Sequence, residues 1–136
     1  MTYSDVEDAF LFVSGGYLAG PTALVCRSTG QVCFASEDAE LDEIPEEAYE
    51  SPDWVAVPQL RDIGCGTNLV DEFVAERLPE DAAEVQRIFR RAGAYGRYKA
   101  LLAQRGVLEE WYQFEGARQE EAIRAWCRDN GLDLTG

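Results

Sequence analysis

Between residues 37 and 53 the chain carries nine acidic side chains and no basic one, interrupted by Pro45 and Pro52. A core cannot absorb so many uncompensated carboxylates, because each would lose its hydration and gain no partner. The run is therefore expected on the surface, as a loop or a frayed turn. It separates two parts of different periodicity. Residues 1–60 hold 12 acids against one base, Arg27, whereas residues 61–136 hold 14 acids against 11 bases. The net charge of −14 repels nucleic acid and anionic membranes at long range, so neither is an expected partner over a broad surface.

Ahead of the run, Ser4 and Glu7 have the spacing of a capping box. Val6, Ala9, Phe10 and Val13 follow at helical spacing, which predicts a helix over about 5–14, stopped by Gly15 and Gly16. Two β-rich runs, 23–27 and 31–35, flank Ser28, Thr29 and Gly30, the pattern of a hairpin. After the acidic run, residues 53–58 around Trp54 read as a third strand. Pro58, which has no N–H for a ladder, closes it.

The remainder is helical. Thr67 or Asn68 can cap a helix running to about Leu78, and Pro79, Glu80 and Asp81 start another, with acids in its first turn. That helix places Ala82, Val85, Ile88 and Phe89 on one face and is expected to run to Gly93. A further helix follows Ala94 and stops at Gly106. A last one starts near Val107 and ends at Asn130 and Gly131, with a bend or break expected at Gly116. One helix, a small antiparallel sheet of a hairpin plus a third strand, and then a C-terminal bundle of about four helices make an α+β fold. A chain of 136 residues is expected to form a single domain.

Three segments carry a resemblance to a bacterial family of unknown function, uncharacterised protein family 0158. They are the early helix with its hairpin turn Ser28–Val32, the segment Trp54–Pro58, and the stretch Phe89–Lys99 with the later Glu110–Phe114 and Ala125–Gly131. The likeness spans about residues 5–131. It implies the same order of elements and a bacterial cytoplasmic setting, and no activity. Where the family pattern has a further basic residue this chain has Gly96, and the segment 61–70, with Gly64, Cys65 and Gly66, also departs from it. The basic stripe is therefore interrupted here.

The best candidate site is the helix junction holding Arg87, Arg90, Arg91, Gly93, Tyr95, Arg97 and Lys99. If Gly93 opens a helix, the free amides after it and the guanidinium groups around it suit an anion such as a phosphate or a partner's carboxylates. Each residue also has a structural use: Arg90 and Arg91 offset a helix dipole, Gly93 caps, and Tyr95 and Tyr98 fill a core. Trp54, Trp111 and Trp126 are assigned to core packing before any stacking platform.

The chain has no histidine, the usual general base near neutral pH. It has no Gly-x-Ser-x-Gly elbow and no phosphate-cradling Gly-rich loop. The acidic run lacks the central Gly of a calcium loop. Cys26, Cys33, Cys65 and Cys127 lack the closely paired spacing of zinc ligands. Cys26 and Cys33 face one another only if the hairpin turn is the two residues Thr29 and Gly30; a bulge separates them. No catalytic residue, metal or cofactor is assigned. No basic segment precedes an apolar run at the N-terminus, and no apolar run approaches the roughly 20 residues of a membrane span. These features favour a non-catalytic cytoplasmic module that binds a protein partner through the basic junction or the acidic loop. The alternatives are a binder of nucleic acid or a phosphorylated ligand at the same arginines, and an enzyme working without histidine.

Overall fold

The computed structural model describes residues 1–15, 19–37 and 45–135. Its elements follow the expected α+β order: a helix, a three-stranded antiparallel sheet, then four helices. They form two compact units, residues 1–64 with 120–136, and residues 65–119.

In the first unit, helix α1 (Tyr3–Ser14) begins earlier than the sequence suggests. Thr2, not Ser4, closes the capping box: its hydroxyl accepts from the Asp5 amide at 3.2 Å, and the Asp5 carboxylate accepts from the Thr2 amide at 2.9 Å. These bonds hold the Asp5 carboxyl below its ordinary value. Glu7, released from capping, accepts instead from the Tyr3 hydroxyl at 3.0 Å. Val6, Ala9, Phe10 and Val13 are buried, as their spacing implies. The helix ends at Ser14 with Gly15 as its C-cap; Gly16 lies outside the described residues.

The sheet has the order β2 (Val32–Ala35), β1 (Thr22–Cys26), β3 (Trp54–Ala56). Ala23 to Cys26 of β1 are buried without a break, so this central strand is covered on both faces. The hairpin register pairs Leu24 with Cys33 and Val25 with Val32. The loop 27–30 closes through Cys26 N–H to Gln31 O and Gly30 N–H to Cys26 O, both 2.9 Å. Cys26 and Cys33 are therefore not opposite one another, and none of the four cysteines is in a disulfide. The turn is longer than two residues because Gly30, at φ +74°, closes it from a left-handed position.

Arg27 ties this unit together. Its Nε donates to Asn130 O at 2.5 Å, its Nη1 donates to Pro52 O, and its own amide donates to Asp53 O at 2.7 Å. One side chain thus joins the hairpin loop, the entry to β3 and the C-terminal end of helix α5 (Leu108–Asp129). Of the acidic run, residues 38–44 lie outside the described residues. The rest forms a short 3-10 turn, Glu46–Tyr49, that buries Ala48 and exposes its acids.

The second unit contains α2 (Asn68–Arg77), α3 (Ala82–Ile88), α4 (Ala94–Gln104) and residues 108–119 of α5. Thr67 is the N-cap of α2 but makes no side-chain cap bond; Asn68 Oδ1 accepts from the Gly66 amide instead. The core is aromatic. Trp111 is fully buried, with Tyr98 edge-on at 5.1 Å and Phe73 at 5.4 Å between ring centroids. Leu69, Val70, Val74, Val85 and Leu102 complete it. The Tyr98 hydroxyl and the Trp111 indole N–H have no hydrogen-bond partner among the described residues.

Two expectations change. The helix expected to reach Gly93 stops at Ile88: the Phe89 amide still bonds to Val85 O at 3.1 Å, but the next two amides turn to carbonyls three residues back, while the Phe89 ring packs on Tyr95 and Tyr98 at 5.3 and 5.5 Å. The last helix runs unbroken through Gly116, which is exposed and has nothing within 4 Å of where a Cβ would stand. The packing of Trp111 and Phe114 on one side and Ile123 and Cys127 on the other keeps the helical repeat through the glycine.

Gly116→Ala should therefore raise stability by about 0.5–1 kcal/mol, the helix-propensity difference at an open position, read as a higher urea midpoint at unchanged slope. Arg27→Ala should lower stability by about 1–2 kcal/mol, since charge-assisted bonds to two carbonyls are lost at an exposed site. Arg27→Lys should recover less than half of that, because a lone ammonium lacks the fork that reaches both carbonyls.

Candidate functional site

The turn between α3 and α4 gathers the basic residues. Arg90 and Arg91 lie in it, with their amides donating to Arg87 O at 3.3 Å and Ile88 O at 3.4 Å. Gly93, at φ +74°, is the N-cap of α4. A side chain there would be strained, and the left-handed residue lets α4 start at once in a new direction.

This geometry opens a cleft of about 430 Å³ lined by Glu84, Arg87, Ile88, Arg90, Arg91 and Arg97. Four of the expected site residues thus meet in one place. Arg87 pairs with Glu84, one helical turn earlier. That pair is largely exposed, and such pairs contribute at most about 1 kcal/mol, so it leaves Arg87 available to a ligand. Arg97 Nη2 donates to Ile88 O at 3.2 Å, a second bond to the carbonyl that also accepts from the Arg91 amide. Arg90 and Arg91 are exposed and form no ion pair among the described residues. Beside them α4 starts with no side-chain cap bond and no acid in its first turn, so its positive end is not offset by its own residues.

Two expected residues sit apart from the arginines. Tyr95 packs its ring on Phe89 and Tyr98, and burial pushes its hydroxyl above the ordinary value. Lys99 places its ammonium 5.6 Å from the centre of the Tyr112 ring. It also acts on Glu115, whose carboxyl is raised by burial and partly lowered again by Lys99. Neither residue lines the cleft.

Sequence reasoning missed the brace that fixes the other end of α3. Arg105 reaches back from the end of α4 to Asp81 with two bonds of 3.0 Å, Nε to Oδ2 and Nη2 to Oδ1. Such a bidentate fork resists rotation as well as separation. It holds the Asp81 carboxyl below its ordinary 3.8. The residues are 24 apart in sequence, beyond any local pattern. Glu84 was also missed, although its spacing from Arg87 is the signal of a helical pair.

The charges divide unevenly between the units. Residues 65–119 carry 9 acids and 8 bases, and the remaining residues 17 acids and 4 bases. The arginine cleft therefore belongs to a nearly neutral unit. Glu84 is the one carboxylate among its lining residues and is paired with Arg87, so the cleft presents no pair of carboxyls for acid–base chemistry. Among the described residues no group of three metal-ligating side chains occurs, and no helix is long and apolar enough to cross a membrane. In the hairpin loop the hydroxyls of Ser28 and Thr29 lower the Cys26 thiol, against the opposing effect of burial.

No protein-family model, curated protein or solved structure matches the chain.

The brace has a pH signature. A carboxyl held below its ordinary value stabilises the fold fully above that value and loses the contribution as pH falls through the lower folded value. Urea midpoints of the wild type and Arg105→Gln should therefore differ at pH 5–7 and converge as the pH falls through the lowered folded value of Asp81.

Proposed function

We propose that the chain is a non-catalytic cytoplasmic interaction module that docks an acidic segment of a protein partner on the arginine cleft. One observation carries this reading: Arg90 and Arg91 have no ion pair among the described residues, in a chain whose acids outnumber its bases 26 to 12. Two exposed guanidinium groups that take no internal carboxylate are available for external ones, each through a planar pair of donors. The cleft's single carboxylate and its paired state support binding over catalysis. The exposed acids of the 46–50 turn around Tyr49, itself 63% exposed, offer an oppositely charged second contact. The resemblance to family 0158 implies no activity, so the reading rests on the cleft.

A second reading is favoured by the uncapped start of α4: free amides beside guanidinium groups also suit a phosphoryl group, on a small ligand or on nucleic acid. The field of the whole chain opposes a long polyanion and leaves a single phosphoryl group unaffected at short range.

The test is capture from bacterial lysate at near-physiological salt by the wild type and by Arg90→Glu/Arg91→Glu, with and without nuclease. A protein retained after nuclease should be lost from the double variant, with affinity reduced at least 10-fold, since each charge-assisted bond contributes about 1.5–3 kcal/mol. Equal retention by wild type and variant refutes the assignment of the site. Retention that depends on nucleic acid moves the phosphoryl reading ahead.

A further inference from the structure

Two groups of opposite charge in this chain lack internal partners. Arg90 and Arg91 are exposed and take no ion pair among the described residues. The same holds for Glu46, Glu47 and Glu50, exposed on the 3-10 turn Glu46–Tyr49 and its C-cap. In a 3-10 turn, side chains three residues apart lie on one side. Glu46 therefore shares a side with Tyr49, and Glu47 shares one with Glu50, while Ala48 faces inward and is buried. The Glu50 amide donates to Glu47 O at 3.1 Å, which carries the geometry through to the last acid. The turn thus presents three carboxylates around one phenol ring. That ring is 63% exposed, more than any other large apolar side chain among the described residues.

We infer that the acidic segment docked by the arginine cleft is this turn on a second copy of the chain. The inference rests on the reading of that cleft as a docking site and names the partner. Guanidinium groups take carboxylates through planar pairs of donors and stack on aromatic faces. The turn offers both targets within five residues. The cleft supplies four guanidinium groups, with Ile88 as an apolar contact for the ring. The distribution of charge favours this pairing over others that two copies have open to them. Residues 65–119 hold 9 acids against 8 bases, a net charge of −1, and the remaining residues 17 against 4, a net charge of −13. Contact between two acidic units sets −13 against −13, which self-repulsion opposes. Turn against cleft sets the acidic unit of one copy on the nearly neutral unit of the next. Repulsion between the remaining charges decays over about 8 Å at physiological salt, whereas the ion pairs form at hydrogen-bond distance. Because the two surfaces differ, the contact is heterologous. Each pairing leaves one turn and one cleft unused, so assembly continues past two copies or closes into a ring.

The test is sedimentation velocity of the full chain in about 0.15 M salt, from about 10 μM to 1 mM, the range of a weak contact. The average mass of the wild type should rise with concentration and pass that of a dimer. Arg90→Glu/Arg91→Glu, which removes the cleft's free charges, and Glu46→Gln/Glu47→Gln/Glu50→Gln, which removes those of the turn, should each stay monomeric. An equimolar mixture of the two should form dimers and stop there, because one intact turn meets one intact cleft. Arg61→Glu/Arg128→Glu changes the net charge as much as the cleft variant does, at other exposed positions, and should associate like the wild type. Unchanged thermal midpoints check that the variants fold. A fluorescent, terminally blocked peptide of residues 45–53 should bind the wild type and the Arg61→Glu/Arg128→Glu control, and bind the cleft variant at least 10-fold more weakly. Association that the cleft variant keeps, or a mixture that stays monomeric, overturns the pairing of turn with cleft. A wild type that is monomeric at the highest concentration overturns self-docking, and arginine-dependent capture of the peptide then leaves the cleft standing as a site for other acidic segments. A monomeric wild type that binds the peptide no better than the cleft variant does overturns both.

Discussion

The second unit depends on the packing of one indole. Trp111 is fully buried, and Tyr98 and Phe73 meet it edge-on from α4 and α2. Aromatic pairs in this arrangement gain about 0.5–1.5 kcal/mol beyond their buried area and prefer particular angles. The contacts therefore fix the directions of α2, α4 and α5 as well as their separation. Helix α3 is too short to hold a position by itself. It is pinned by Val85 in this core, by the fork from Arg105 to Asp81 at its start, and by Arg97 on its last carbonyl. The cleft is the surface consequence of that arrangement.

A division of labour follows among the basic residues. Arg105 and Arg97 hold backbone or carboxylate and set geometry. Lys99 stays with Tyr112 and moderates Glu115. Arg90 and Arg91 take no ion pair among the described residues. Substitutions at Arg97 remove a bond that holds the end of α3, whereas those at Arg90 and Arg91 break no ion pair among the described residues.

The order of elements was legible because it rests on local signals: period-2 runs around a Gly turn, period-3.6 runs between glycines, and prolines where ladders stop. The buried face of α1 followed from the same spacing. Where local readings failed, tertiary contacts decided. Phe89 fits the helical pattern of α3 and keeps its helical bond to Val85 O, yet the two amides after it turn to carbonyls three residues back and the regular helix ends at Ile88. Gly116 is a weak helix former, yet residues packed before and after it keep the helix continuous. The capping box moved from Ser4 to Thr2 because Asp5 serves as partner as well as Glu7 does. The candidate site was legible as a concentration of arginines on a junction. Its division into lining residues and core residues was not, because the directions of Tyr95 and Lys99 depend on rings and carboxyls from other helices.

Trp111 has an optical consequence. The other two tryptophans, Trp54 and Trp126, belong to the first unit, so a single indole speaks for residues 65–119. It is enclosed by rings and its N–H has no partner among the described residues, surroundings in which indole emission is blue-shifted. A succession of edge-on rings, Phe89 to Tyr98 to Trp111, leads inward from the wall of a surface cleft to that indole. The unit carries its own fluorophore, linked by ring contacts to the surface at Phe89.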